Sequence, residues 1–290
     1  MSSNENKVAV ITGASAGIGK EAALKLLEQG WRVIGVGRNP ERTKQAEADI
    51  RASINDPTQF EMLRCDLGCL ADTQKLANTI ASLTGRLDVL INNAGGLTSD
   101  LVITAEGNEN TFASNHLGHF LLTLRLLPLL ERTASETGSK ARVINVSSNA
   151  HHSAQPFDFD NLQPTDPYNF GETYCRVKLA NLLFTRTLAE RVQDRGIVAH
   201  AMHPGVVSSN FANHGDERMQ QYMASLDRDE PGVAADTLVW MSEDPELAKT
   251  TNGYFFNCAP EARNPMAEDD EAASKLWTAS EALVHAFLTN

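Results

Sequence analysis

Residues 174 to 178, YCRVK, place a phenol and an ammonium four residues apart in a stretch of helical period. At that spacing Tyr174 and Lys178 share one helix face, about one turn apart. An unperturbed phenol has a pKa of about 10 and is a poor base at neutral pH. A neighbouring cation stabilises the phenolate, and each unit of lowering corresponds to about 1.4 kcal/mol. Such a pair can give a proton to a nascent alkoxide or take one from an alcohol. Two adjacent hydroxyls, Ser147 and Ser148, follow the apolar run that starts at Arg142. Side chains alternate across a strand, so only one of them can face the same cleft and help bind a developing oxyanion.

A second group of residues supplies a place for a reaction partner. VAVITGASAGIGK (8 to 20) sets Gly13, Gly17 and Gly19 between an apolar run and a helical pattern, in the spacing TGxxxGxG. Gly13 permits a tight turn, Gly17 lets the backbone approach a pyrophosphate, and Gly19 allows close helix packing. The helix N-terminus adds free N–H groups and the positive end of its dipole. After the next apolar run, GVGRNPER puts Arg38 where a fold that binds NAD usually carries an acidic residue. A guanidinium there suits a 2′-phosphate and points to NADP(H). Lys20 could assist or could be a solvated helix residue, and Asp66 could hold an adenine amino group or cap a turn.

These residues need a scaffold, and the hydropathy rhythm predicts one. Short β-branched runs at 8–12, 32–37, 60–65, 88–92, 142–147, 197–202 and 254–256 alternate with helical patterns at 17–29, 40–53, 70–83, 105–134, 172–194 and 231–243. Strand and helix in alternation mean parallel pairing, and strands apolar throughout mean a sheet covered on both faces. The prediction is a doubly wound α/β parallel sheet of about seven strands in one domain over 1–290, with a core at 7–257 and a C-terminal extension at 258–290. Two long loops, 149–171 and 204–230, leave the carboxyl ends of strands, where open α/β sheets bind ligands.

Composition narrows the function further. With 25 Lys and Arg against 37 Asp and Glu the formal net charge is -12, which disfavours nucleic acid and anionic membranes as partners. Four cysteines, Cys65, Cys69, Cys175 and Cys258, lack the pairing or His spacing of a zinc site and read as reduced thiols, so no metal is expected. MSSNENK runs directly into the first apolar segment, leaving no room for a signal peptide. The most apolar stretch, 119–130, is too short to span a bilayer and contains Arg125 and Pro128. A cytoplasmic protein without stable membrane insertion is expected. His116 and His119 fall on an apolar helical pattern, where packing is expected of them. His151, His152 and His203 show no HExxH spacing, and no GxSxG elbow supports hydrolysis.

TGASAGIG (12–19), NNAG (92–95), Asn115 in SNHLGHF, VSS (146–148), YCRVK and HPG (203–205) occur in this order. Together they resemble the short-chain dehydrogenase/reductase family over about 7–257. YCRVKLANLLFTRTLAERV and the tail PMAEDDEAASKLWTASEAL resemble its retinol dehydrogenase and WW-domain oxidoreductase branch. The resemblance implies a Rossmann-type fold and gives Tyr174 the acid/base role. Lys178 would bind the nicotinamide ribose, Ser148 would orient the substrate oxygen, and Asn115 would join a water relay to Lys178. Ser15, Ile18, Asn39, Leu67, Asn92, Ala94 and Gly95 would line the cofactor cleft. Pro204, Gly205 and Val207 would border the nicotinamide, with Ser209 where many members carry threonine. Members commonly form homodimers or homotetramers through the helices at 105–134 and 172–194, whose apolar stripes are broad here. The expected activity is NADP(H)-dependent interconversion of an alcohol and an aldehyde or ketone on a fairly apolar molecule. The absence of a leading hydrophobic anchor favours a soluble substrate or a lipid other than a membrane retinoid. A regulator that binds NADP(H) without turnover would show decay of the catalytic set, which is complete.

Overall fold

Apolar runs rich in Val and Ile pair side by side because neither of their faces can meet water. In the computed structural model, which describes residues 7–208 and 216–289, they form one eight-stranded sheet in the order β3-β2-β1-β4-β5-β6-β7-β8. The strands are β1 (Val8–Thr12), β2 (Arg32–Gly37), β3 (Phe60–Arg64), β4 (Val89–Asn92), β5 (Ala141–Val146), β6 (Ile197–Met202), β7 (Tyr254–Phe256) and β8 (Ala259–Pro260). All neighbours pair in parallel up to β7, and β8 is antiparallel to it. About seven strands were expected; β8 has two residues, one of them proline, and carries no readable period.

The registers Thr12↔Val36, Asn92↔Asn145 and Val146↔Met202 bring the carboxyl ends of five strands to one edge. Strand order reverses beside β1, where the chain crosses from β3 to β4. A crevice at that switch point is the standard ligand position of such sheets.

One face is covered by α1 (Gly17–Glu28), α2 (Pro40–Ser53) and α8 (Pro231–Glu243), around Trp31, Leu26 and Leu238. The other carries α3 (Leu70–Leu83), α5 (Gly118–Thr137), α6 (Phe170–Val192) and α9 (Asp270–Val284). The expected helix at 105–134 begins later, at α4 (Asn110–Phe112), and passes through a π-helical segment, Ala113–Leu117, into α5. Glu109 sets that start, because its carboxylate accepts the N–H groups of Thr111 at 2.8 Å and Phe112 at 2.7 Å. A short helix α7 (Glu217–Ser225) lies in the 204–230 loop.

The C-terminal extension covers the stripes that suggested self-association. Trp277 of α9 packs edge-on to Phe120 of α5 at 4.9 Å and against Phe184 of α6 at 5.9 Å. The Arg191 guanidinium lies 4.4 Å from the centre of the Trp277 ring. Arg125 then fastens the tail by donating to the carbonyls of Phe287 and Leu288 at 2.8 and 2.9 Å. Part of the apolar stripes of α5 and α6 is thus covered by α9 of the same chain. Light scattering at micromolar concentration decides between the expected homodimer or homotetramer and a monomer, whose mass of 31.6 kDa would remove that expectation. Among the described residues no helix is long and apolar enough to cross a membrane.

Candidate active site

The turn between β1 and α1 needs its glycines for two reasons. Gly13 and Gly17 adopt φ of +74° and +53°, which favour glycine. A Cβ on Gly19 would sit 2.6 Å from both Asn93 Nδ2 and the Gly13 carbonyl oxygen, so packing alone excludes a side chain there. The turn is stapled to the end of β4: Thr12 Oγ1 accepts from the N–H groups of Asn93 and Ala94, each at 2.9 Å. Helix α1 opens on Ala16, with no side chain capping its first amides and no acidic residue in its first turn. Those amides are therefore free to receive an anion at the positive end of the helix.

A cleft of roughly 270 Å³ opens above this turn. Gly13, Ser15, Gly17, Ile18, Arg38, Asn39, Asp66, Leu67, Ala94 and Gly95 line it; Gly19 supports the turn from behind. Arg42, which the sequence reading missed, stands beside Arg38 at the exposed rim. Its signal is the second basic residue of GRNPER, in the first turn of α2. Asn39 Oδ1 caps α2 by accepting the Arg42 N–H at 2.9 Å, which fixes the helix turn that carries Arg42. Lys20 is ion-paired to Asp49 at 2.7 Å and belongs to the helix surface. Asp66 caps the next turn by accepting the Gly68 N–H at 3.0 Å while still lining the cleft, so both of its readings hold.

Asn92 is a correction. It is 2 % exposed, and its amide donates to Thr123 Oγ1 and Asn145 Oδ1 at 2.9 and 2.8 Å. It braces β4 to α5 and β5, and the cleft is lined instead by Asn93. Pro204, Gly205 and Val207 leave the carboxyl end of β6 outside the lining of this cleft, Gly205 with φ of +76° and Val207 bridged to Asp229. Ser209 lies outside the described residues.

The residues expected to handle the proton stand next to Gly95. A Cβ on that residue would lie 2.7 Å from Asn115 Oδ1 and 3.0 Å from Lys178 Nζ, so these two side chains stand against a wall of the cleft. Strand alternation resolves the two serines. Ser147 is buried and donates to the Lys178 carbonyl at 2.7 Å, while the Ser148 hydroxyl favours the ionised form of the Tyr174 phenol. The Lys178 ammonium sits 5.3 Å from the centre of the Tyr174 ring, confirming that the two share one face of α6.

Electrostatics differ from the simple expectation of a phenol lowered by lysine. Burial pushes the Tyr174 phenol up, and the Ser148 hydrogen bond only partly offsets it. Burial also pushes Lys178 down to about 8. In both groups burial favours the neutral form.

Asn115 is fully buried on the π-helical segment, a feature often found at functional sites. Its side chain spans to the glycine loop: Oδ1 accepts the Gly96 N–H at 3.0 Å and Nδ2 donates to the Gly96 carbonyl at 2.9 Å. Its own carbonyl meets His119 Nδ1 at 3.1 Å. Thr12 Oγ1, already accepting two amides, turns its proton to His119 Nε2 at 2.9 Å, which leaves Nδ1–H to donate. Burial keeps this ring neutral, at about 4. His116 is likewise interior, in contact with Ser280 at 2.8 Å.

The long loop before α6 is pinned by a residue that no motif marked. Tyr168 donates to Glu109 Oε1 at 3.1 Å and to the Thr98 carbonyl at 3.3 Å. Phe157, Phe159 and Leu162 in that loop turn towards the core.

The family model described as short chain dehydrogenase matches residues 7–220. The chain belongs to that family. Human retinol dehydrogenase 13 is 36% identical over 287 residues, covering 96% of this chain and 84% of that one. Human retinol dehydrogenase 12 is 36% identical over 279 residues, with 94% and 85% covered. Among solved structures, the Pseudomonas aeruginosa RhlG/NADP active-site complex is similar at 28% identity and a TM-score of 0.69, over 86% of this chain and 93% of that one. Membership makes this protein an oxidoreductase of alcohol or carbonyl groups with a nicotinamide cofactor.

Proposed function

We propose that the protein interconverts an alcohol with an aldehyde or ketone on a fairly apolar small molecule, using NADP(H), with Tyr174 as acid and base. The observation that carries this reading is the placing of Lys178 over the Tyr174 ring and against the Gly95 wall of the glycine-lined cleft, with the Ser148 hydroxyl favouring the ionised phenol. The cleft suits a dinucleotide: uncapped amides at α1 would meet a pyrophosphate, and Arg38 and Arg42 would hold a 2′-phosphate. The NADP named in the solved relative agrees with that choice. When bound, the cofactor supplies or accepts a hydride.

The chain's own residues handle the oxygen and its proton. The Ser148 and Tyr174 hydroxyls bind the substrate oxygen and stabilise the charge that grows on it. In reduction the Tyr174 phenol gives its proton to the nascent alkoxide, and in oxidation it takes that proton back. Lys178 offsets the phenolate charge and would hold ribose hydroxyls. Asn115 fixes Gly96 and thereby the wall beside Lys178. An apolar alcohol as substrate is in keeping with the relatives' names. The four unpaired cysteines suit a reducing compartment such as the cytoplasm.

The lysine carries an opposed pair of effects. Its folded value of about 8 lies below its ordinary 10.5, so the charged form opposes folding below pH 8, and the deficit disappears between pH 8 and 10.5. At neutral pH that shift corresponds to roughly 3 kcal/mol. Lys178→Met is therefore expected to raise Tm by several degrees while depressing turnover by about 100-fold or more. Thermal unfolding and initial rates on the same sample check this; a lower Tm with retained turnover would contradict it.

Incubation with NADPH and a panel of aldehydes and ketones tests the function itself. Consumption of NADPH with at least one apolar carbonyl is expected. Binding without consumption for every carbonyl tried would favour a cofactor-sensing regulator.

A further inference from the structure

We propose that His151 is a positioning residue for Ser148, and that the C-terminal segment at Asn264 acts on turnover through it. The proposal rests on Ser148 orienting the substrate oxygen, as above. His151 is fully buried, in the short helical turn Asn149–Ser153 that Ser148 caps. Its Nδ1 lies 2.6 Å from the Ser148 carbonyl oxygen, and its Nε2 lies 3.1 Å from the backbone nitrogen of Asn264. A backbone N–H can only donate, so Nε2 is the acceptor and carries no proton. The single ring proton is therefore on Nδ1 and is donated to Ser148. One imidazole thus joins the backbone of the catalytic serine to a peptide more than a hundred residues further along the chain.

The far end of this link is held firmly. Asn264 Nδ2 donates to the carbonyls of His151 and His152 at 3.2 and 3.3 Å, and its Oδ1 accepts the Met266 N–H at 2.9 Å. Next to it, Arg263 donates to the Asn252 carbonyl at 2.6 Å and to Asn252 Oδ1 at 3.0 Å. Tyr254 of β7 closes the ring's side, edge-on at 5.3 Å. The segment that covers α5 and α6 is by this route also part of the frame of the site. Ser148 Oγ accepts the Ala150 N–H at 3.2 Å within the same turn, so a shift of the turn would move the hydroxyl that meets Tyr174.

Asn264 has φ of -54°, which proline accepts. Asn264→Ala removes the side-chain bonds and keeps the N–H on His151; Asn264→Pro removes that N–H as well. With the carbonyl turned over fastest, Asn264→Pro is expected to have kcat about tenfold below Asn264→Ala, the size of one lost buried hydrogen bond, with the NADPH dissociation constant equal in both. Nitrogen-15 imidazole shifts of the wild-type protein are expected to show His151 as the Nδ1–H tautomer. Equal kcat in the two variants, a matching rise in the NADPH dissociation constant, or an Nε2–H tautomer would each overturn the proposal. Ser148→Ala measured alongside separates the two levels. If it keeps wild-type kcat, the reading of Ser148 fails and the proposal with it. If it loses turnover while Asn264→Pro matches Asn264→Ala, only the positioning role fails.

Discussion

Tyr174→Phe is expected to lower kcat by about 10²- to 10⁴-fold in both directions, the usual contribution of a placed acid or base, with NADPH affinity nearly unchanged. Phe keeps the ring that packs on the core beside α6 and keeps Lys178 over its face. It removes only the hydroxyl, and with it the proton for the alkoxide and the partner of Ser148. Because burial pushes the phenol up, Tyr174 holds its proton through neutral pH and is ready as the acid of reduction. Lys178 loses its charge as pH rises through about 8, so reduction should slow on that side, while oxidation, which needs the phenolate, should accelerate with pH. Steady-state rates across pH and a fluorescence titration with NADPH measure both parts. Retained turnover in the variant would remove Tyr174 from the mechanism.

Arg38→Asp is expected to reverse cofactor preference, changing the ratio of kcat/KM for NADP(H) over NAD(H) by about 100-fold or more. A hydrogen bond to a charged group contributes about 1.5–3 kcal/mol, and the new carboxylate adds repulsion towards a phosphate while accepting ribose hydroxyls. Arg42→Ala should cost less, because Arg38 remains at the same rim. Lys20 cannot substitute for either, since Asp49 already holds it. Equal catalytic efficiency with both cofactors in the unmodified protein would contradict the role given to the arginines.

Much of this scaffold is legible from hydropathy because parallel strands buried on both faces must be apolar throughout. The seven parallel strands and the glycine turn follow from that rule and from the φ that Gly13 and Gly17 adopt. Tyr174 and Lys178 are legible as neighbours because helix spacing is fixed, but their ionisation is not. It depends on how much water the folded chain removes from around them. Asn92 and Asn93 look alike in NNAG, and only the pleat decides that Asn92 faces the interior and Asn93 the cleft. The start of α4 is not legible because glutamate is an uncommon cap and 105–109 still carries polar and apolar residues in helical-looking order. The broad stripes of α5 and α6 show that something covers them. Whether that is a second copy or the chain's own α9 depends on a contact between segments about a hundred residues apart, such as Phe184 with Trp277.

Deuterium transfer tests hydride exchange most directly. NADPH labelled at the transferring position of its nicotinamide is incubated with the wild-type protein and an apolar aldehyde, and the alcohol is analysed by mass spectrometry. One deuterium on the carbinol carbon for each NADPH consumed is the predicted result. Unlabelled alcohol, or bound and unconsumed NADPH with every carbonyl offered, would contradict the account.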